Sequence, residues 1–229
     1  MAVIQSLAEI PLFAGLSQQE LTVIGERVRQ RRYKEGDTIF HRDDPGVALY
    51  VIISGRVKIH SQTPDGSDLM IAVLAPGDFF GELAVIDGDE RSADATTLEP
   101  TELLMLTRED MHDIIQRHPK IGLNLLVSLA GRLRRTTDSL RAFSTLDVNG
   151  RVAKQLLMLA DQHGVPAVQG TRIALRLTQS DLAALVGSSR ESVNKVLGYF
   201  RKRGWVDCDE RYQITIRERR ELLRRCEEA

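Results

Sequence analysis

Between Thr178 and Phe200 two short apolar-periodic stretches meet at Gly187-Ser188, and no other segment constrains the fold so tightly. Leu182, Leu185 and Val186 mark the first stretch; Val193, Leu197 and Phe200 mark the second at i, i+4 and i+7. Two short amphipathic helices on a glycine turn make a helix-turn-helix. The face opposite the second stripe carries Arg190, Glu191, Asn194 and Lys195, side chains that can reach guanine, cytosine and adenine edges in a major groove. The same residues also fit a plain amphipathic helix with a solvated face, started by a Ser188 and Glu191 capping box.

The charge distribution supports the first reading. Residues 148–229 carry fifteen Lys/Arg against ten Asp/Glu and residues 1–147 sixteen against twenty-two, so a net charge of −1 conceals a basic C-terminal part. A basic module suits a polyanion, although charge alone sets attraction rather than sequence preference. With 229 residues the chain is long enough for two modest domains. Its two cysteines, Cys208 and Cys226, exclude a disulfide framework or a four-cysteine cluster within one chain and point to a reducing cytoplasm. The start lacks a secretory pattern and no run approaches a membrane span, so no membrane partner is expected. The five histidines show no ligand-like spacing, and no metal is expected.

Residues 5–32 are expected to be helical, with a Ser17 cap and Glu20 three residues on. Short β-type runs follow at 49–53, 57–59, 69–74 and 102–106, separated by turn signals including Ser54-Gly55, Pro64-Asp-Gly66, Pro76-Gly77 and Asp87-Gly88. Turns about every ten residues suggest a small antiparallel barrel or roll. Thr107 and Asp110 open a short helix, and Pro119 starts a longer one to about Phe143. Along it Leu126, Leu129, Leu133, Thr136, Leu140 and Phe143 are spaced 3, 4, 3, 4, 3, the seam of a parallel dimer or the inner stripe of an ordinary packed helix. Residues 146–150 carry turn residues and mark a hinge. A helix (151–163), a loop (164–170), a strand (171–177), the two-helix motif, a wing-like hairpin (205–216) and a charged helix (217–228) complete the chain. The expected domains are 1–118, 119–146 for the long helix and hinge, and 147–229.

Within the roll, Gly81-Glu82-Leu83 and Arg91-Ser92 form a second informative group. Glycine permits close approach to backbone N–H groups, arginine offers a two-pronged donor for phosphate, serine adds a hydroxyl, and Glu82 can accept from sugar hydroxyls. Arg91 paired with Glu82 as a routine ion pair is the plainer alternative. An enzyme reading would make Glu82 an acid and His163 a base, but no catalytic motif is complete and none is expected.

The order Gly81-Glu-Leu, Glu90-Arg-Ser-Ala, Thr136-Thr137, Leu146-Asp-Val-x-Gly-Arg151 and Val186-Gly-x-Ser-Arg-Glu-x-Val193 resembles the cyclic-AMP receptor branch of the Crp/Fnr family of transcription regulators over nearly the whole chain. The resemblance implies an α+β chain: an N-terminal antiparallel β-roll of the cyclic-nucleotide-binding type, a long dimerisation helix and a C-terminal winged helix-turn-helix. It implies that Gly81, Arg91 and Ser92 hold the cyclic phosphate of cyclic AMP, that Glu82 takes a ribose hydroxyl, and that Leu83, Ile59 and Ile71 supply apolar walls. Thr136 would contact adenine from its own subunit and Thr137 from the partner helix. Arg190, Glu191 and Lys195 match base-reading positions, with Thr178, Gln179 and Ser189 near phosphates. Implied partners are a homodimer partner through Leu126, Leu129, Leu133, Leu140 and Phe143, a double-stranded operator resembling TGTGA and its inverse, and RNA polymerase, for which the 163–172 loop is the candidate surface.

Two departures stand out. The segment between Glu82 and Arg91 is one residue shorter than in the best-known member, and Lys195 replaces an arginine, a point charge for a planar fork. The cysteine cluster of the oxygen-sensing branch is absent, and no histidine on the long helix suggests haem. Another cyclic nucleotide or dinucleotide, or binding of DNA without a ligand, stays open.

Overall fold

The computed structural model describes residues 2–62, 68–175, 177–209 and 213–227, with backbone alone for residues 2–4 and 68. The chain divides into two compact units, residues 1–133 and 134–229, and the division falls inside the long helix.

The first unit opens with α1 (Ala2–Ala8), a 3-10 turn (Pro11–Phe13) and α2 (Gln18–Gly25). The Ser17 hydroxyl accepts from the Glu20 N–H while the Glu20 carboxylate accepts from the Ser17 N–H, so the expected capping box forms. The helical expectation fails for residues 29–32, which belong to β1 (Arg29–Tyr33). Arg-Gln-Arg-Arg has no apolar alternation to reveal it; pairing with a buried strand at the sheet edge, Arg29 opposite Met105, decides the conformation.

Next come β2 (Thr38–Phe40), β3 (Ala48–Ser54), β4 (Val57–Gln62), β5 (Asp68–Leu74), β6 (Phe79–Phe80), α3 (Glu82–Asp87), β7 (Asp94–Thr97) and β8 (Thr101–Thr107). They form two antiparallel four-stranded sheets, in the orders β1-β8-β3-β6 and β2-β7-β4-β5. Strand alternation assigns the two faces of the first sheet. Tyr50, Ile52 and Leu103 point into the roll against Val57 and Ala95 of the second sheet and Phe80. Leu49, Val51, Leu104 and Leu106 point the other way, onto Leu12, Phe13, Ile24, Met111, Ile121 and Leu125. Those last residues come from the N-terminal helices, from α4 (Arg108–Arg117, capped by Thr107) and from the start of α5 (Pro119–Thr145). The turn expected at Pro64-Asp-Gly66 lies outside the described residues.

In the second unit α6 (Val148–His163) is capped by Asp147, whose carboxylate accepts from the Gly150 N–H at 2.7 Å. Gly150, expected in the hinge, lies inside this first turn. A small sheet of β9 (Gly164–Pro166), β10 (Thr171–Ile173), β11 (Val206–Cys208) and β12 (Ile214–Ile216) runs in the order β11-β12-β10-β9. The strand expected over 171–177 is thus β10, ending at Ile173, with residue 176 outside the described residues, and β9 lies where a loop was expected over 164–170. α7 (Gln179–Val186) and α8 (Arg190–Lys202) form the helix-turn-helix, and α9 (Arg219–Glu227) closes the unit through buried Leu222. The cap of α8 is Ser189, not Ser188, its hydroxyl accepting from the Ser192 N–H. Gly187 in the left-handed region and the Ser188 N–H donating to the Ala183 carbonyl use that residue to end α7. The tip of the wing hairpin lies outside the described residues.

Candidate functional site

Gly81 sits between β6 and α3 with φ of 76°. A Cβ there would come 2.6 Å from Arg91 Nη1 and 3.2 Å from the Ala48 carbonyl oxygen, so both conformation and space require glycine. Arg91 is 3% exposed, a rare burial for arginine. Its Nη1 donates to the Gly81 carbonyl and its Nη2 to the Ala48 carbonyl, each at 2.7 Å, and its guanidinium lies 4.2 Å over the Phe40 ring. Its Nε is buried without an acceptor. Among the described residues no carboxylate comes within ion-pair distance of it. Burial lowers its pKa, while Tyr50, Asp44 and Glu82 act in the opposite sense; an arginine nonetheless stays charged. Among the described residues this buried cation therefore has no carboxylate in direct contact, an arrangement that favours an anionic ligand.

The plainer pairing of Arg91 with Glu82 does not form. Glu82, 4% exposed, pairs instead with Arg132 of α5 at 2.8 Å, and Arg132 also donates to the Phe79 carbonyl and lies 4.6 Å over the Phe79 ring. The carboxylate is thereby held at the start of α3 with its charge balanced and acceptor capacity to spare. Sequence reasoning missed Arg132. Its position one helical turn before Thr136, on the same side of α5, is the signal that could have found it.

The remaining candidates fall into two sets. In the first unit Ser92 is exposed next to Arg91 in sequence, Ile59 is half-buried against the roll core, and Ile71 and Leu83 are exposed at 54% and 45%. Thr136 and Thr137 are exposed on the part of α5 that belongs to the second unit.

On α8 the buried stripe is Val193, Val196, Leu197 and Phe200, while Arg190, Glu191 and Lys195 are exposed. Asn194 is half-buried, its amide oxygen buried without a hydrogen-bond partner. Arg190 Nε donates to Gln179 Oε1 at 3.4 Å, which joins the first turns of α7 and α8. Thr178 and Ser189 cap these helices, positions whose free N–H groups suit phosphate. Along α5, Leu126, Leu133 and Leu140 are 63%, 68% and 68% exposed, as are Leu123 and Val127 at 63% and 73%. Leu129 is instead partly buried on the helical core of the first unit. Phe143 lies against Gly187 of the helix-turn-helix and under Arg151.

The chain matches the cyclic nucleotide-binding domain over residues 30–118 and the Crp-like helix-turn-helix domain over residues 150–225. It is 37% identical over 219 residues to a CRP-like cAMP-activated global transcriptional regulator of Mycobacterium tuberculosis (strain ATCC 25618 / H37Rv), covering 96% of this chain and 97% of that one. It is 39% identical over 196 residues to the cyclic AMP receptor protein of Thermus thermophilus, covering 86% and 88%. A solved structure of the c-di-GMP responsive global regulator CLP of Xanthomonas campestris superposes with a TM-score of 0.75 at 28% identity, covering 87% and 99%. With a roll that buries Arg91 and a helix pair with an exposed basic face, the molecule is a DNA-binding transcription regulator equipped with a cyclic nucleotide-binding domain, not an enzyme. It belongs to the Crp/Fnr family.

Proposed function

We propose that this regulator is a homodimer that binds cyclic AMP in the roll and a pseudo-palindromic, TGTGA-like operator through α8. The observation that carries the effector half is Arg91, buried with no carboxylate in ion-pair contact among the described residues, beside a glycine at positive φ where any side chain would be strained. Arg91, Gly81 and Ser92 hold the cyclic phosphate, Glu82 accepts from a ribose hydroxyl, Ile59, Ile71 and Leu83 line the base, and Thr136 and Thr137 address adenine. The exposed leucines of α5 support a parallel dimer seam, a surface that water disfavours on a lone helix. Two recognition helices related by a two-fold axis read half-sites about 34–36 Å apart. The ligand acts by binding one arrangement of the dimer more tightly than the other, since only differential affinity shifts a population. The β9–β10 tip, where Val168 is fully exposed, is the surface for RNA polymerase, and the protein works in the cytoplasm.

A different effector is the second reading, because the structurally similar Xanthomonas regulator is c-di-GMP responsive. Calorimetric titration with cyclic AMP, cyclic GMP and cyclic di-GMP in parallel separates them: saturable heat with cyclic AMP alone supports the first reading, and heat with cyclic di-GMP alone replaces it.

A further inference from the structure

Phe143 occupies the last position of the heptad spacing that begins at Leu126, yet its ring, on a residue that is 41% exposed, rests one edge on its own chain. A Cβ on Gly187 would stand 2.6 Å from Phe143 Cε1 and 3.2 Å from Cζ, so the ring covers the glycine at the turn between α7 and α8. Gly187 ends α7 in the left-handed conformation, with φ of 62°, and Ser189 caps the base-reading helix two residues later. The Arg151 guanidinium stacks on the ring, 5.4 Å from its centroid, and Ala142, Met158, Leu185 and Val186 line the surrounding crevice. Thr136 lies seven residues before Phe143, two turns back on the same stripe and about 10.5 Å along the axis. Both belong, with α8, to the unit that begins at Arg134.

We infer that Phe143 is a positioning residue that transmits the state of the long helix directly to the helix-turn-helix turn, and that the dimer seam ends at Leu140. A shift or rotation of α5 moves a rigid ring against a residue with no side chain to yield, and the turn carries α8 with it. This route runs beside the link at Leu146 and Asp147 between α5 and α6. The inference rests on the proposed reading of Thr136 and α8.

The test compares Phe143→Ala, Phe143→Tyr and Leu133→Ala in the full-length protein. Self-association is measured by sedimentation equilibrium, operator affinity with and without cyclic AMP at fixed salt, and backbone hydrogen exchange across residues 184–190. Phe143→Ala is expected to leave self-association within about twofold of wild type, where Leu133→Ala weakens it. The same variant is expected to cut the cyclic AMP-dependent gain in operator affinity by about fivefold or more, within the usual span of coupling factors, and to speed exchange at the turn. Phe143→Tyr, which keeps the ring and can point its hydroxyl to solvent, restores both. Weakened self-association of Phe143→Ala, or an unchanged gain, overturns the inference and returns Phe143 to the seam or to plain packing. Wild-type protein whose operator affinity ignores cyclic AMP defeats the effector reading instead, and the exchange measurement then decides the role of Phe143 alone: unchanged exchange at the turn rejects it.

Discussion

Arg91 donates to the carbonyl of Gly81 at 2.7 Å, and the space that a side chain at position 81 would fill is the space its guanidinium occupies. The two residues are ten apart in sequence and form one element: the glycine admits the cation, and in the proposed reading the remaining N–H donors of the guanidinium meet the anion.

Replacing Arg91 by Gln keeps a donor in the site and removes the charge. Two charge-assisted hydrogen bonds lost from a bound phosphate amount to about 3 kcal/mol, roughly a hundredfold in Kd. Calorimetry with cyclic AMP should register that loss while the circular dichroism spectrum holds. A Kd within threefold of wild type would show that Arg91 has only a structural role.

Arg132 neutralises a carboxylate that is only 4% exposed. Arg132→Leu leaves Glu82 buried and unpaired, at a cost of about 2 kcal/mol; the figure is set below that of a fully enclosed pair because the Arg132 side chain keeps 27% of its surface in water. Adding Glu82→Gln should recover most of the loss, as expected for two residues in contact. Urea unfolding of both singles and the double closes the cycle, and simple additivity would reject the coupling.

Asp147 carries the cap of α6. Its pKa is lowered by the Asn149 side chain, the Gly150 N–H and Arg225. A depressed carboxylate contributes stability that is present above its unfolded pKa of about 3.9 and disappears as pH falls through the lower folded value. Asp147→Ala should cost about 1 kcal/mol near neutrality. Asp147→Asn keeps a cap without charge, so its deficit against wild type should close as pH falls below about 4. A deficit independent of pH would place the effect elsewhere.

Much of this was legible in the sequence because it is local. The Ser17 and Thr107 caps, Pro119 at the start of α5, the runs that became β3, β4, β5 and β8 and the two-helix motif all follow from periodicity and capping chemistry. What escaped is tertiary. β1 is made by its partner strand, β6 is two residues long, and Ser188 lost the cap because α7 needed it to finish. Gly150 resembled a turn residue, yet it serves packing: a Cβ would meet the Arg225 carbonyl of α9 at 3.1 Å. The group of Gly81, Glu82, Arg91 and Ser92 was visible as residue types, whereas the pairing of Glu82 with Arg132 in place of Arg91 depends on where Arg132 arrives from α5.

The dimer seam predicts its own disruption. Leu133→Asp or Leu140→Asp places a charge on a surface that is two-thirds exposed in the single chain and that the proposed dimer would bury. The folded monomer should persist with an unchanged unfolding midpoint at low concentration, while sedimentation equilibrium shows self-association lost. Operator affinity should fall with it, because one half-site contact replaces two. Full self-association of both variants would place the interface elsewhere.

Operator binding by the full-length protein at one fixed salt concentration, with and without cyclic AMP, tests the central claim most directly. The account predicts a tenfold or greater tightening with cyclic AMP, about 1.4 kcal/mol of coupling, abolished in Arg91→Gln and specific to TGTGA-like DNA. Equal affinity in the presence and absence of cyclic AMP, with wild type and Arg91→Gln indistinguishable, would contradict it.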